Sequence, residues 1–266
     1  MTDLKKASRA AEQAAYAAGT HLQASRSRLV EVVITHQDPG EVANIIANDA
    51  RTLIREVVQR HFPEHGFTGE DEPGTAAKPF DDTPRWAVVP IDGAVNYLRG
   101  YPQYAVSIAL IERGEPLLGV VYDPCRNEFF GAIRGVGAVL NGQAIRCASP
   151  RPPLEALAAT VFPRPASARM PGYITEFGRV LRGFGGLRRS GSMALELAYL
   201  AAGRIDAFWE YDIPPWDAAA GIVLLRESGA RVEARDGLPL LRSQALFACT
   251  PDLHGPFVKL LDPTLP

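Results

Sequence analysis

The chain has 266 residues, of which 47% are hydrophobic and 22% are charged, and its formal net charge is −2. This composition is typical of a globular protein with a sizeable core, and the near-neutral charge provides no long-range attraction to nucleic acid or anionic membranes. Three cysteines without metal-ligand spacing argue against a disulfide framework, and no apolar run is long enough to span a bilayer, so we expect a cytoplasmic protein.

The first part of the chain predicts two helices followed by an antiparallel sheet. Alanine-rich residues 3–25 and the apolar repeat over residues 41–60 both have helical spacing. Short apolar or alternating runs then follow, separated by Gly, Asn and Asp, as in an antiparallel meander. The predicted strands are Trp86–Pro90, Tyr104–Glu112, Pro116–Tyr122, Glu128–Ile133 and Val136–Leu140.

The second part alternates between strands and helices. The proline-rich segment Ser149–Pro153 is the predicted boundary between an N-terminal half, residues 1–150, and a C-terminal half, residues 151–266, of one compact unit. Predicted helices cover 173–183, 192–202, 214–228 and a segment from about residue 252, and predicted strands cover 157–161, 207–211, 230–233 and 245–249. Helices and sheets in layers, without an internal repeat, indicate an α/β class of fold, an α+β layered sandwich.

Three carboxylates at the ends of predicted elements are the candidate catalytic residues. Glu70 lies in a loop after the second helix, Asp92 ends a strand, and Asp217 lies in the first turn of a helix. Carboxylate oxygens are the ligands that Mg²⁺ prefers, although each residue alone is more typical of a helix cap or a turn. A turn at Gly93-Ala94 that opens a helix would also direct backbone N–H groups toward a phosphate.

Taken together, the motifs resemble those of the inositol monophosphatase family, in its bacterial SuhB-type branch. The motifs that carry the resemblance are Gly69-Glu70-Asp71, Pro90-Ile91-Asp92-Gly93 and Trp216-Asp217-Ala218-Ala219-Ala220-Gly221. The family consists of Mg²⁺-dependent, lithium-sensitive phosphomonoesterases. The resemblance implies an αβαβα fold, a phosphorylated small-molecule ligand and a homodimer. It also implies metal ligation by Glu70, the Ile91 carbonyl, Asp92 and Asp217, and substrate contacts by Gly93, Ala94, Ser192 and Glu210.

The chain departs from the family pattern at positions that perform the hydrolysis. Val89 stands where the family has an aspartate that bridges two metal ions, and Ala94 replaces a threonine that orients the attacking water. A gap-free alignment of the upstream loop places four further residues at a lysine, an aspartate, a threonine and a second aspartate of the family. These residues are His36, Glu41, Asn44 and Ala47. A shift of the loop would instead bring Asp49 to the last of these positions.

These substitutions predict weak or absent phosphatase activity. Valine and alanine offer no lone pair to a metal or a water, and the loss of one such group commonly lowers a rate by about 10²–10⁴. Without a metal, Asp92 and Asp217 would form a like-charge pair in which the pKa of one carboxyl rises, which is suited to acid–base chemistry. We therefore expect a repurposed, biosynthetic enzyme or a binding protein.

Two alternatives remain open. The first is a surviving Mg²⁺-dependent phosphomonoesterase that acts on inositol or sugar phosphates. The second is a regulatory binding protein, and here a basic stretch formed by Arg179, Arg182, Arg188 and Arg189 is a candidate surface. The charge balance favours neither nucleic acid nor the transcription machinery as a partner, and we expect neither.

Overall fold

Three helical layers alternate with two β-sheets in the part of the chain that the structure describes. The structure is a computed structural model that describes residues 2–26, 29, 39–70, 83–163 and 166–264, and within them the predicted αβαβα architecture is confirmed. The α-helices of this part are α1 (Leu4–Ala24), α2 (Pro39–His61), α3 (Ala94–Leu98), α4 (Met170–Gly183), α5 (Met193–Ala201), α6 (Pro215–Ser228) and α7 (His254–Leu261).

The first sheet is a meander of strands in chain order. Its strands are β1 (Gly66–Thr68), β2 (Arg85–Asp92), β3 (Ala105–Glu112), β4 (Glu115–Asp123), β5 (Glu128–Ile133), β6 (Gly137–Leu140) and β7 (Gln143–Ile145). All neighbouring pairs are antiparallel except β1 and β2, which are parallel. The predicted antiparallel meander is therefore confirmed, and β1 and β7 are additions at its two edges.

The spatial order of the strands in the second sheet differs from their order in the chain. Its strands are β8 (Leu157–Thr160), β9 (Gly186–Arg188), β10 (Ala207–Tyr211), β11 (Arg231–Ala234) and β12 (Ala245–Cys249), arranged as β11-β12-β10-β8-β9. Strand β10 is parallel to β8 and antiparallel to β12. The sequence predicted four of these strands and omitted β9, which has three residues.

The outer layer formed by α1 and α2 packs on the first sheet through small side chains. Asp3 caps α1 by accepting hydrogen bonds from the backbone N–H groups of Lys5 and Lys6. Six alanines at helical spacing form the buried stripe of α1, and their small volume allows α2 and the sheet to approach closely. These alanines are Ala7, Ala10, Ala11, Ala14, Ala15 and Ala18.

Side chains that alternate along each strand place the two faces of the first sheet in two different hydrophobic cores. Trp86 and Val88 of β2 face α1 and α2, whereas Ala87 between them faces the central helices. Successive side chains of a strand point to opposite faces, so a strand buried on both faces is apolar throughout. The near-continuous apolar runs of β2, β3 and β4 follow from this position in the middle of the molecule.

Helix α6 packs closely against two neighbours, the backbone of strand β4 on one side of α6 and the Leu197 side chain of α5 on another. A Cβ atom on Gly119 of β4 would stand 2.3 Å from the Ala220 carbonyl oxygen, and one on Gly221 would stand 2.3 Å from Leu197 of α5. Both distances are below any real Cβ contact, so the glycines are required for the helix to lie this close to sheet and helix. This packing sets the position of the α6 N-terminus, which carries Asp217.

The remaining face of the second sheet is covered by α4 and α7. Trp209 of β10 is fully buried there, with its ring 5.8 Å from that of Tyr173 in α4 and 6.1 Å from that of Phe257 in α7. Aromatic pairs at these spacings add to the free energy of burial. Across the described ranges, no helix has both the length and the hydropathy needed to cross a membrane.

Candidate functional site

Strand β2 ends irregularly, and this irregularity directs Asp92. Val89 pairs with Ser107 of β3 and Asp92 pairs with Ala105, with a shift of register between the two pairs. Pro90 lies within this interval and has no N–H group to donate to the neighbouring strand. Beyond the irregularity, the Asp92 carboxylate contacts the N-terminus of α5.

The turn after Asp92 requires a glycine. Gly93 has a φ of 89°, in the left-handed region, and a Cβ there would stand 2.8 Å from the Gln103 carbonyl oxygen. The short helix α3 follows at once, as the Asp92-Gly93 turn predicted. Asn96 fastens this turn by donating hydrogen bonds to the carbonyl oxygens of Gln103 (2.7 Å) and Ser190 (2.8 Å).

The Asp92 carboxylate links the end of β2 to the N-terminus of α5. Its Oδ2 accepts hydrogen bonds from the Ser192 hydroxyl and from the Ala194 backbone N–H (2.9 Å). Burial raises the pKa of Asp92 to about 6, although both hydrogen bonds act in the opposite direction. Repulsion from Asp217 was the predicted cause of a raised carboxyl pKa. That cause is wrong for Asp92, because desolvation accounts for its shift.

A first cavity, which we call the Arg51 cavity, lies between α2, the end of β2 and the start of α6. Its volume is about 110 Å³. Two candidate carboxylates, Glu70 and Asp217, line it, and Glu70 is exposed to solvent. The other lining residues are Ala43, Asn44, Ala47, Arg51, Val88, Val89, Pro90, Ile91, Ala94 and Trp216.

One face of α2 forms a wall of the Arg51 cavity. Asn44, Ala47 and Arg51 are three and four residues apart, so they lie on the same side of a helix. Asp49 is on another side, and its Oδ2 lies 3.8 Å from Nε2 of His21 in α1. Asn44 and Ala47 therefore stand at the cavity, as in the gap-free alignment, and the loop shift that would bring in Asp49 does not occur within this helix.

A second cavity, the Glu210 cavity, adjoins the first, and Asp217 lines both. Its volume is about 150 Å³. The acidic residues Asp92, Glu210 and Asp212 line it together with Asp217. The other lining residues are Val161, Phe162, Pro163, Gly191, Met193, Tyr211, Ile213 and Pro214.

Glu210 is almost fully buried and held on both carboxyl oxygens. Oε1 accepts a hydrogen bond from the backbone N–H of Tyr211 (2.7 Å), and Oε2 accepts one from the hydroxyl of Thr160 (3.3 Å). Burial raises the pKa of Glu210 to about 8, against the effect of these hydrogen bonds. At neutral pH this carboxyl is mostly protonated, so it can donate a hydrogen bond into the cavity.

The donor set of the Arg51 cavity does not fit the magnesium site that the resemblance implies. Within the described residues, no group of three or more His, Cys, Asp and Glu side chains could hold a metal ion. Val89, Ala94 and Ala47 contribute only apolar side chains to the lining of the cavity that Glu70 and Asp217 share. Mg²⁺ is held by carboxylate, carbonyl and water oxygens, which alkyl side chains do not supply. His36, Asp71 and Glu72 lie outside the described residues.

The predicted site residues divide between the two cavities. Glu70, Ile91 and Ala94 line the first, Asp92 and Glu210 line the second, and Asp217 belongs to both. Two further candidates lie beside them: Gly93 forms the turn, and Ser192 donates to Asp92. The sequence reasoning missed Arg51. The signal that could have revealed it is the helical spacing from Asn44 through Ala47 to Arg51.

Comparison with known proteins identifies the family. The model of the inositol monophosphatase family matches residues 3–262. The chain is 36% identical to the inositol-1-monophosphatase of Rhizobium meliloti, over 82% of this chain and 81% of that protein, and 39% identical to Nus factor SuhB of Xylella fastidiosa, over 83% and 78%.

Solved structures agree with this assignment. The extragenic suppressor protein suhB of Bartonella henselae has a TM-score of 0.82 and 31% identity, covering 95% of this chain and 98% of that one. The inositol monophosphatase of Anabaena also has a TM-score of 0.82, with 30% identity over 100% and 98%. The fold, the family model and these relatives together show that the chain belongs to the inositol monophosphatase family.

Proposed function

We propose that this protein keeps the family's pocket for a phosphorylated small molecule but has lost most of the Mg²⁺-dependent hydrolysis. In this view the pocket serves another reaction, such as a biosynthetic step, or binds its ligand without turnover. Glu70, Asp92 and Asp217 then act as ligand-facing carboxylates and do not form a complete metal site.

The apolar wall of the Arg51 cavity is the observation that supports the proposal. Val89, Ala94 and Ala47 line the same cavity as Glu70 and Asp217. Hydrolysis of a phosphate monoester needs metal ions to neutralise the phosphate and to generate a nucleophile from water. Three alkyl side chains in such a site remove ligands and water contacts together, and losses of coupled groups leave little of the original rate.

The acidic residues of the Glu210 cavity support a repurposed reaction. Asp92, with a pKa of about 6, is mostly ionised at neutral pH, whereas Glu210, with a pKa of about 8, is mostly protonated. Two carboxyls whose surroundings separate their pKa values can serve as base and acid in one site. In the proposed reaction Asp92 accepts a proton from the ligand and Glu210 donates one.

A turnover assay tests the loss of hydrolysis. The purified protein is incubated with inositol 1-phosphate and Mg²⁺, and phosphate release is measured with and without lithium. An active phosphatase of the family is the control under the same conditions. We expect release near the background. Release that Mg²⁺ stimulates and lithium inhibits would overturn the proposal.

That last outcome would favour the alternative, a Mg²⁺-dependent phosphomonoesterase acting on inositol or sugar phosphates. Two observations speak for it: Glu70 and Asp217 share one cavity, and a relative is named inositol-1-monophosphatase. The family is generally Mg²⁺-dependent. Under this alternative, Glu70→Gln and Asp217→Asn would each abolish the metal-stimulated release.

A regulatory role is the second alternative, and the names of the relatives bear on it. Several relatives at 32–39% identity are named Nus factor SuhB. These names weigh against the sequence-based expectation that the transcription machinery is not a partner. A pull-down with RNA polymerase and its elongation factors tests this role, with Arg188→Ala/Arg189→Ala as the surface variant. If the wild-type protein is recovered with RNA polymerase and the variant is not, the result would support this role.

We also propose a homodimer, following the resemblance. The measurement is light scattering, with an expected mass near twice the 28.8 kDa of the chain. A mass of one chain across the working concentration range would contradict it. A cytoplasmic location likewise stays a prediction.

A further inference from the structure

The two cavities contain one positively charged side chain among the described residues that line them, and it is Arg51. Carboxyl groups surround it: Glu70 and Asp217 line the Arg51 cavity, and Asp92, Asp212 and the mostly protonated Glu210 line the Glu210 cavity. An anionic ligand that enters this pocket would be repelled by the ionised carboxylates unless a cation offsets them. The sequence supplies that cation on α2.

The position of Arg51 on the helix directs it to the cavity. It lies on the same face of α2 as Asn44 and Ala47, and its Nη1 donates a hydrogen bond to the Asn48 side-chain oxygen (2.5 Å) one turn earlier. Ala47 lines the same cavity and has no side chain beyond Cβ. The Asn44 carboxamide, about two turns before Arg51 on the helix, adds N–H donors at the same wall.

We propose that Arg51 takes the electrostatic place of the metal ion and binds the phosphate group of the ligand directly. This inference rests on the proposed function, because it assumes a phosphorylated ligand and an impaired magnesium site. A guanidinium is planar, keeps its charge at all working pH values and matches two phosphate oxygens with parallel N–H groups. Phosphate binding in this pocket then needs no divalent ion.

The test is a calorimetric titration with inorganic phosphate in the presence of EDTA. The variants are Arg51→Gln, which removes the charge, and Arg51→Lys, which keeps the charge but not the planar fork. Arg60→Gln is the matched control, because Arg60 lies on the same helix, is exposed and donates to the Glu56 carbonyl oxygen outside the cavity. Thermal unfolding of each variant reports whether it is folded.

We expect the wild-type protein and Arg60→Gln to bind phosphate equally well in EDTA. Arg51→Gln should weaken binding about tenfold or more, the usual effect of removing a charged hydrogen-bond donor, and Arg51→Lys should fall between them. Equal affinity of Arg51→Gln and the wild type would overturn the inference. So would wild-type binding that requires Mg²⁺, or wild-type protein that binds no phosphate under either condition.

The two proposals fail in different measurements. Turnover of inositol 1-phosphate with Mg²⁺ decides whether hydrolysis is lost, and it can do so whether or not Arg51 binds phosphate. The titration in EDTA decides the role of Arg51 and involves no turnover. A protein that hydrolyses nothing and binds phosphate independently of Arg51 would keep the first proposal and refute the second.

Discussion

Restoring the missing carboxylate should restore a response to magnesium. Val89 is half-buried, pairs with Ser107 of β3 and lines the cavity that Glu70 and Asp217 share. In the double variant Val89→Asp/Ala94→Thr, a third carboxylate enters this cavity together with a hydroxyl for a bound water. Three carboxylates are a donor set that holds Mg²⁺, so we predict that the variant binds the ion and that the wild type does not.

The size of the response follows from linkage. In EDTA the added carboxylate is repelled by its neighbours and partly desolvated, which should lower the free energy of unfolding by about 1–3 kcal/mol. At a Mg²⁺ concentration one hundred times the dissociation constant, binding to the folded state returns about 2.7 kcal/mol. For 266 residues at about 2.1 cal/mol/K each, that gain corresponds to a rise in Tm of about 5 °C.

Thermal unfolding in EDTA and in a series of Mg²⁺ concentrations measures the response. Val89→Asn is the matched control, because it has the same shape as the aspartate but carries no charge, and its Tm should not depend on Mg²⁺. Ala94→Thr alone should behave like the wild type. If the double variant shows the same Tm at every Mg²⁺ concentration, the reasoning is refuted, and the cavity has diverged at more than these two positions.

Three further predictions concern the groups around the site. Unfolded Glu210 ionises near pH 4.5 but the folded protein keeps its proton to about pH 8, so stability should fall by up to about 5 kcal/mol as pH rises between these values. Glu210→Gln should remove this slope, and Tm curves parallel to the wild type from pH 5 to 8.5 would contradict it. Gly93→Ala should lower the free energy of unfolding by about 1–3 kcal/mol in denaturant titrations. It should cost more than Gly237→Ala, which has a similar φ of 72° but nothing within 4 Å of the added Cβ, and equal costs would argue against the contact with Gln103. Asn96→Ala should cost about 1–3 kcal/mol by the same method, because two carbonyl oxygens lose their donor. Asn96→Asp, which cannot donate, should be no better, and full stability of either variant would refute this role.

Local sequence patterns predicted most of the fold because they depend on neighbouring residues. The alanine stripe of α1 follows from burial of one side of the helix, and the near-continuous apolar runs of β2–β4 follow from burial of both faces of the sheet. Strands β1, β7 and β9 have three residues each, which is too short for a period to appear. The order β11-β12-β10-β8-β9 depends on contacts distant in the chain, and no local pattern encodes it.

The sequence predicted the site residues that belong to a recognisable motif. It did not predict a residue that reaches the site only because of how its helix packs. Asp92 and Asp217 were identified because each opens or ends an element within a recognisable motif. Arg51 was missed because an arginine on an amphipathic helix is most often a solvent-exposed residue. Its importance follows from the side of α2 that meets the end of β2, and that packing is tertiary. The cause of the raised Asp92 pKa was also misjudged, since burial is a property of the folded chain.

The close packing of α6 links the stability of the core to the chemistry of the site. Asp217 stands at the start of a helix that Gly119 and Gly221 allow to lie close to strand β4 and helix α5. A methyl group added at Gly119, on a strand that lines neither cavity, would have to push this helix away from the sheet. The Asp217 carboxylate would move with it, in both cavities at once. Substitutions in the interior of the protein can therefore change ligand affinity. A search for such substitutions that is confined to pocket residues would overlook Gly119.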